Sequence, residues 1–325
     1  MNTLQQIFTP IQKEIESLNE YYKSILCDND PYIHSVLSGI NLFEGKKLRP
    51  AMVFLSAGMA GNINHLTQIT AFGLEMVHYA SLLHDDVIDN GSKRHNQPTM
   101  NTLWNNKIAV LAGDYLLSEC MNIIARENHT KLLSKLISIT NTMTYGELLQ
   151  LNQSDNALIE DEEEYMKIIR CKTASLISAC FEMGVASCVS DEKIIHSWKT
   201  FGEEVGIIFQ LKDDLLDYQS NDVSQKDAYK DIKEHKITLP FLYALQQTPE
   251  EKKQQLLHFY KNHSGNMSDI QTIIGIVTEY GGIYYTESLI EEKTMQCLDF
   301  VHQQKDSDYK QSLLQLIQFL KDRKF

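Results

Sequence analysis

The stretch LLSKLI, Leu132–Ile137, places apolar residues three and four positions apart, which is the spacing that lines one face of an α-helix. The same spacing recurs in residues 168–177. No proline occurs between Pro98 and Pro240, so this long central stretch lacks the residue that most strongly breaks a helix. The sequence therefore predicts an all-α fold.

The length and composition favour one large domain over residues 1–325. A chain of 325 residues that is 43% hydrophobic can bury a large core. No stretch rich in Pro, Gly or Ser interrupts it, and the composition does not change along the chain, as it would at a linker between domains.

Charge and cysteine content restrict the classes of partner. The net charge of −13 argues against a general nucleic-acid surface and against binding to anionic lipid. The first ten residues lack the pattern of a signal peptide, and no apolar run of membrane-spanning length is apparent. Six cysteines without CxxC spacing fit a reducing compartment. We expect a cytoplasmic protein without nucleic-acid partners or stable membrane insertion.

Two aspartate clusters of the same pattern carry the main indication of chemistry. They are Asp85–Asp89, with the sequence DDVID, and Asp213–Asp217, with the sequence DDLLD. In a helix, the first and last carboxylates of each cluster lie four residues apart on one face, where they repel each other unless a cation lies between them. Mg²⁺ binds such hard oxygen ligands together with water and substrate phosphates. The clusters predict a polyphosphate held by metal ions.

A single acidic pair at helical spacing is more often a solvated helix face. Both clusters, however, follow apolar runs, at residues 80–83 and 205–209. Acidic groups beside a core-forming segment point inward or into a cleft more often than a surface run does. The two clusters together therefore favour function.

Basic residues occur at several places near these clusters. Lys46 and Arg49 lie three apart at a predicted helix start, where backbone N–H groups also favour anions. Each basic residue alone is typical of an ordinary surface, but their arrangement around the aspartates indicates anion binding. The others are Arg94 and His95 after the first cluster, Lys172 beside Thr173, and Lys226 and Lys236 after the second cluster.

Seven motifs in order give the chain a resemblance to the trans-isoprenyl diphosphate synthases of the polyprenyl synthetase family, along nearly its whole length. The motifs are Gly45–Pro50, His78–Asp89 with Arg94, Leu111–Leu117, Gly146-Glu147 with Gln150, Lys172-Thr173, Phe209-Gln210 with the second aspartate cluster, and Lys236–Pro240.

The resemblance implies a helical bundle around a deep central cavity, a homodimer, and aspartate motifs that face each other at the cavity mouth. It implies about three Mg²⁺ ions bound by Asp85, Asp89 and Asp213, with Asp86, Asp214 and Asp217 as further ligands or their neighbours. It assigns isopentenyl diphosphate to Lys46, Arg49, His78 and position 95, and the allylic diphosphate to Arg94, Lys172, Lys226 and Lys236. Thr173 and Gln210 would lie near the developing cation.

Product length is predicted from the residues before Asp85. At ~1.5 Å of rise per residue, Ser81 and Ala80 lie roughly 6 to 8 Å deeper along the helix, and Met76 about 13 Å deeper. Members of the family that stop at short chains tend to carry aromatic residues near the first two positions. Small side chains, with an adaptable methionine below them, predict a long-chain polyprenyl product.

Three other functions remain open. A class I terpene cyclase uses the same metal-triggered ionisation, but Lys46, Arg49 and His78 would then lack a purpose. The His84-Asp85 pair is also typical of metal phosphohydrolases, which need further histidine ligands and leave the second cluster unexplained. A noncatalytic subunit of a heteromeric synthase would tend to lose one aspartate motif, and both are intact here.

His95 stands where the family usually has an arginine that contacts isopentenyl diphosphate. Imidazole is shorter than guanidinium and lacks its two-pronged hydrogen bonding. We predict that His95→Arg lowers the KM for isopentenyl diphosphate in steady-state assays. An unchanged or higher KM would contradict the placement of this residue.

Overall fold

The computed structural model describes residues 3–26, 30–40, 45–94, 97–155, 161–219 and 229–323, and these are almost entirely helical. The predicted all-α class is confirmed. In the first half the helices are α1 (Thr3–Phe8), α2 (Gln12–Leu26), α3 (Pro31–Ser38), α4 (Leu48–Ala60), α5 (His65–Ile88), α6 (Met100–Leu103), α7 (Asn106–Arg126) and α8 (Thr130–Asp155). In the second half they are α9 (Glu162–Ile169), α10 (Ser175–Ala186), α11 (Glu192–Gln219), α12 (Lys230–Lys233), α13 (Leu239–Gln247), α14 (Glu250–Asn262), α15 (Met267–Glu279), α16 (Gly282–His302) and α17 (Asp308–Asp322).

The chain forms two compact units. Unit 1 contains Met1–Asn141, Ala179–Thr200 and Gln304–Leu313, and unit 2 contains Thr142–Ser178, Phe201–Gln303 and Leu314–Phe325. The organisation as one domain stays a prediction.

Helix α5 is the central helix of unit 1 and packs against α4 and α7. It begins with a capping box, in which the Asn64 side chain accepts a hydrogen bond from the Thr67 N–H and the Thr67 hydroxyl accepts one from the Asn64 N–H. The helix is buried along most of its length and ends at Ile88, with Asp89 as its C-cap residue. The first aspartate cluster therefore occupies the last turn of a core helix.

Unit 1 also contains a short antiparallel hairpin of β1 (Lys93–Arg94) and β2 (Gln97–Pro98), in which Arg94 pairs with Gln97. Its turn residues, His95 and Asn96, lie outside the described residues.

Helix α7 is long and apolar enough to cross a membrane, and a third of its most apolar window is buried. The expectation that no apolar run has this length was therefore wrong. Length and composition alone are weak evidence for membrane insertion, because core helices meet the same criterion. One face of α7, with Ala109, Leu116 and Ile124, is buried in unit 1.

Helix α13 is the central helix of unit 2 and packs against α9, α14, α15 and α16. Its Phe241 ring stacks on the Tyr260 ring of α14, with 3.8 Å between centroids. Both side chains are fully buried in an apolar cluster that also includes Ile270, Ile273 and Val277 of α15.

A π-helical turn, Arg170–Ala174, separates α9 from α10 and carries Lys172 and Thr173. Such turns widen a helix locally and are frequent at functional sites. Two glycines allow neighbouring helices to approach it. A Cβ at Gly146 would lie 2.6 Å from the Lys172 backbone nitrogen, and a Cβ at Gly206 would lie 2.5 Å from the Ala174 Cα.

Gly206→Ala should lower the free energy of unfolding by about 1–3 kcal/mol, because the added methyl meets backbone that has little room to move. Gly275→Ala is the control, since a Cβ at this exposed position of α15 has no atom within 4 Å. The control should gain roughly 0.5–1 kcal/mol. Urea denaturation measures both, and equal effects would contradict the close approach of α11 to the π-helical turn.

Candidate active site

Asp86 of the first cluster is compensated by Arg94 on strand β1. The Arg94 guanidinium donates to Asp86 Oδ1 from Nη2 at 2.9 Å and from Nε at 3.2 Å. The Asp86 side chain is largely buried, while that of Arg94 is partly exposed. Asn101 binds the Asp86 carbonyl at 3.2 Å and holds the same turn. The positive charge that compensates Asp86 therefore comes from the Arg94 side chain.

Asp85 and Asp89 are partly exposed and lie one turn apart at the end of α5, where the Asp89 N–H donates to the Asp85 carbonyl at 2.8 Å. The predicted helical spacing is confirmed for this cluster. Two carboxylates on one face of a helix end offer hard oxygen ligands to a divalent cation.

Arg49 and His78, both assigned to one substrate, meet in unit 1. Arg49 Nη1 lies 2.9 Å from His78 Nε2. Burial, and then the Arg49 charge, lower the pKa of His78 well below its usual value. The histidine is therefore neutral and its Nε2 accepts a hydrogen bond from the guanidinium.

Lys46 and Lys47 point to different surroundings. Lys46 is exposed, whereas Lys47 lies 3.8 Å from the buried Glu75, donates to the Tyr79 hydroxyl at 3.2 Å and lies over the Tyr22 ring. Lys47 has a left-handed backbone, with φ of 48°. The buried Lys47 side chain fixes the backbone between Lys46 and Arg49. No pattern in the sequence predicted that Lys47 points inward while Lys46 is exposed.

In unit 2, Asp214 is buried and accepts hydrogen bonds on both carboxylate oxygens. The Tyr165 hydroxyl donates a short hydrogen bond to Oδ2, and Gln210 Nε2 donates to Oδ1 at 2.7 Å. The Gln210 carbonyl oxygen in turn accepts from the Thr173 hydroxyl at 2.6 Å. Tyr165, Asp214, Gln210 and Thr173 form one hydrogen-bonded chain, which we call the Asp214 chain.

Asp214 and Asp217 of the second cluster lie in surroundings that disfavour negative charge. Burial, and then the Asp231 carboxylate, raise the pKa of Asp214 to about 7. The same two causes raise the pKa of Asp217 to about 7, although Asp217 Oδ2 accepts a hydrogen bond from the Ile232 N–H at 3.1 Å. A cation bound nearby would favour the charged form of both groups.

Asp213 is the most exposed acid of this cluster and pairs with Arg323 near the end of the chain, at 2.8 Å. The Arg323 guanidinium also donates to the Phe209 carbonyl and lies over the Phe209 ring, 3.9 Å from its centroid. Its side chain is almost fully buried. More than one hundred positions separate the partners, so no local spacing predicts this contact.

Lys172 projects from the π-helical turn to two acceptors on α8. Its Nζ lies 2.5 Å from Glu147 Oε2 and 2.6 Å from Gln150 Oε1. The motif that joins Gly146, Glu147 and Gln150 therefore has a local physical role. Gly146 leaves room for the backbone of the π-helical turn, and the Glu147 and Gln150 side chains orient Lys172.

A cavity of about 630 Å³ in unit 2 brings several predicted residues together. Lys172, Thr173, Gln210, Asp214 and Lys236 all line it. Lys236 Nζ pairs with Glu234 at 2.7 Å. Lys226, which was assigned to the same substrate, lies outside the described residues.

The donors fit a metal that also takes ligands from its substrate. Among the described residues, no three His, Cys, Asp or Glu side chains converge closely enough to hold an ion by themselves. Mg²⁺ usually binds through one or two carboxylates, with waters and phosphate oxygens completing six ligands. Asp85 with Asp89 supply such a pair in unit 1, and Asp213 with Asp217 offer carboxylates in unit 2.

The residues assigned to chain length all lie on α5 in unit 1. Met76 and Ala80 are buried, whereas Ser81 is partly exposed and donates to the His78 carbonyl at 2.8 Å. Their role in product length stays a prediction.

Comparison with known proteins gives one consistent result. Residues 30–277 match the model of the polyprenyl synthetase family. The chain is 30% identical to an all-trans-nonaprenyl-diphosphate synthase of Rhodobacter capsulatus that is geranyl-diphosphate specific, with 98% of each chain covered.

Solved structures agree with the family match. A polyprenyl synthase from Caulobacter crescentus, crystallised with calcium and isoprenyl diphosphate, has a TM-score of 0.89 at 25% identity, over 99% of this chain and 98% of that one. A geranylgeranyl pyrophosphate synthase from Bacteroides thetaiotaomicron has a TM-score of 0.83 at 31% identity, over 99% of this chain and 100% of that one.

Tyr165→Phe should lower the free energy of unfolding by about 1–3 kcal/mol, because it leaves a buried carboxylate oxygen of Asp214 without its donor. Tyr145→Phe is the matched control, since Tyr145 on α8 is exposed and should change stability by less than about 0.5 kcal/mol. Urea denaturation of both variants decides the matter. A Tyr165→Phe protein as stable as the control would show that the bond contributes nothing.

Proposed function

We propose, on the premise that this chain belongs to the polyprenyl synthetase family and is a trans-polyprenyl diphosphate synthase, that it joins isopentenyl diphosphate to an allylic diphosphate. The product is an all-trans polyprenyl diphosphate. The observation that carries the proposal is the pair of aspartate clusters at helical spacing, each near basic residues in its own unit. Terpene cyclisation and phosphate-ester hydrolysis leave the Arg49–His78 pair without a role.

The reaction breaks the allylic carbon–oxygen bond and releases diphosphate with both electrons of that bond. The double bond of isopentenyl diphosphate then attacks the allylic cation, and the new cation loses a proton to the departed diphosphate. Bound Mg²⁺ would supply Lewis-acid stabilisation of the leaving diphosphate. No protein nucleophile is needed.

The residues of the cavity have separate tasks. Lys172 and Lys236 place positive charge where the diphosphate develops negative charge, and exclusion of water strengthens this stabilisation. The Thr173 hydroxyl donates a hydrogen bond to the Gln210 carbonyl oxygen, so the lone pairs of the hydroxyl oxygen can face a developing cation. The Asp214 chain fixes that orientation before the substrate arrives.

Asp85, Asp89 and Asp213 would hold the metal ions, which we take to be about three Mg²⁺ ions by resemblance. Asp86 and Asp214 would not contact the metals directly, because protein donors already bind their carboxylate oxygens. Arg94 binds Asp86, and Tyr165 and Gln210 bind Asp214. A metal at Asp213 would replace its contact with Arg323.

Isopentenyl diphosphate would bind in unit 1 at Lys46 and Arg49. The neutral His78 accepts from Arg49 and holds the guanidinium in place without adding charge. The buried Lys47 anchors the backbone between the two cationic side chains.

We also propose a homodimer. Large apolar side chains are exposed in unit 1 at Ile88, Leu103, Trp104, Val110 and Leu111. Solvent exposure of several large apolar side chains favours an interface between proteins. Sedimentation analysis should give twice the mass of the chain for the wild type, and a monomer for Leu111→Glu. A monomeric wild type would contradict the proposal.

Incubation with labelled isopentenyl diphosphate and an allylic diphosphate should give products longer than C15, and a chelator should abolish them. Ser81→Phe should shorten the products, because Ser81 lies partly exposed one turn before Asp85. Mass analysis of the extracted products measures both effects.

The same assay separates the alternatives. A cyclase would consume the allylic diphosphate without isopentenyl diphosphate, and a phosphohydrolase would release inorganic phosphate. An exclusive C15 product would contradict the product length and leave the prenyl transfer intact.

A further inference from the structure

His235 immediately precedes Lys236 and has a backbone conformation that favours glycine. Its φ is 57°, in the left-handed region that non-glycine residues rarely occupy. A residue with a Cβ pays a cost in free energy in this region, which contacts of its side chain can offset. The His235 side chain contacts the C-terminal end of helix α14.

The His235 imidazole binds the end of α14 in two ways. Its Nδ1 lies 2.9 Å from the Tyr260 carbonyl oxygen, so Nδ1 carries the proton and donates. Its ring also packs on the His263 ring, with 4.3 Å between centroids.

His263 is buried, and both of its ring nitrogens are used. Nε2 lies 2.9 Å from the Ile232 carbonyl and donates to it, while Nδ1 accepts from the Gly265 N–H at 3.0 Å. These two bonds require the neutral imidazole with its proton on Nε2. Burial, and then His235, lower the pKa of His263, in agreement with that form.

Tyr260 adds a further contact, because its hydroxyl donates to the Lys236 carbonyl at 2.6 Å. The backbone of residues 232–236 is therefore held at both ends. His263 binds the Ile232 carbonyl at its beginning, and Tyr260 binds the Lys236 carbonyl at its end. The same backbone also donates the Ile232 N–H to Asp217. We call these contacts of His235, Tyr260 and His263 the histidine clasp.

We propose that His235 is a positioning residue, which through the histidine clasp fixes Lys236 in the cavity and the Ile232 N–H on Asp217. This inference rests on the proposed function, in which Lys236 binds the allylic diphosphate. The clasp sets where the Lys236 backbone lies, and so how far its ammonium group must reach. Its loss therefore weakens binding of that substrate and leaves binding of isopentenyl diphosphate unchanged.

His235→Gly tests the proposal, because glycine accepts the backbone conformation and removes the contacts of the imidazole. We expect about a five-fold rise in the KM for the allylic diphosphate, with the KM for isopentenyl diphosphate unchanged. Amide hydrogen exchange at positions 235 and 236 should become about ten-fold faster. The melting temperature should not fall, since backbone strain is relieved.

Two further variants separate positioning from a structural role. His235→Asn should restore the wild-type KM, because asparagine tolerates this conformation and its Nδ2–H can replace the donor Nδ1–H. Asn128→Gly is the matched control, since Asn128 in unit 1 also has a left-handed backbone, with φ of 59°. It should change neither KM.

The inference is overturned if His235→Gly leaves hydrogen exchange or the KM for the allylic diphosphate unchanged. It is also overturned if both KM values rise equally. A wild-type protein without prenyl transfer would contradict the proposed function, while exchange at positions 235 and 236 would still decide whether the clasp holds this backbone.

Discussion

Repulsion between carboxylates is the constraint on which the site depends, because each cluster places several of them within one helical turn. The protein compensates some with its own groups. Arg94 pairs with Asp86, Arg323 pairs with Asp213, and two hydrogen-bond donors bind Asp214. Mg²⁺, with its preference for oxygen ligands, suits the carboxylate pair of Asp85 and Asp89.

This distribution divides the acids by task. Acids that protein groups already bind become fixed points for their neighbours, as Asp214 does for Gln210 and through it for Thr173. Groups aligned before the reaction need no reorganisation when charge develops, which is the main source of electrostatic stabilisation in enzymes. Buried carboxylates thus orient the polar groups that line the cavity.

The sequence predicted the features that depend on local spacing. The helical class, the position of Asp85 and Asp89 on one turn, and the meeting of Arg49 with His78 all follow from periodicity or from motifs. These features were predictable because residues close in sequence carry them, or family motifs that bind the same substrate.

Contacts between distant positions were not predictable. Tyr165 has the spacing of a core residue, and only the hydrogen bond from its hydroxyl to Asp214 shows that it also orients the site. Arg323 and the histidine clasp join elements that no pattern relates. The π-helical turn depends on Gly146 and Gly206 on two other helices, so the local sequence could not indicate it. The apolar length of α7 was also missed.

Calorimetric titration of the protein with a non-hydrolysable allylic diphosphate analogue, with and without Mg²⁺, tests the metal-held diphosphate most directly. The account predicts tight binding only with Mg²⁺, and about ten-fold weaker binding for Asp85→Asn under the same conditions, because the variant lacks one carboxylate ligand. Equal affinity in the presence of a chelator, or an Asp85→Asn protein that binds like the wild type, would contradict it.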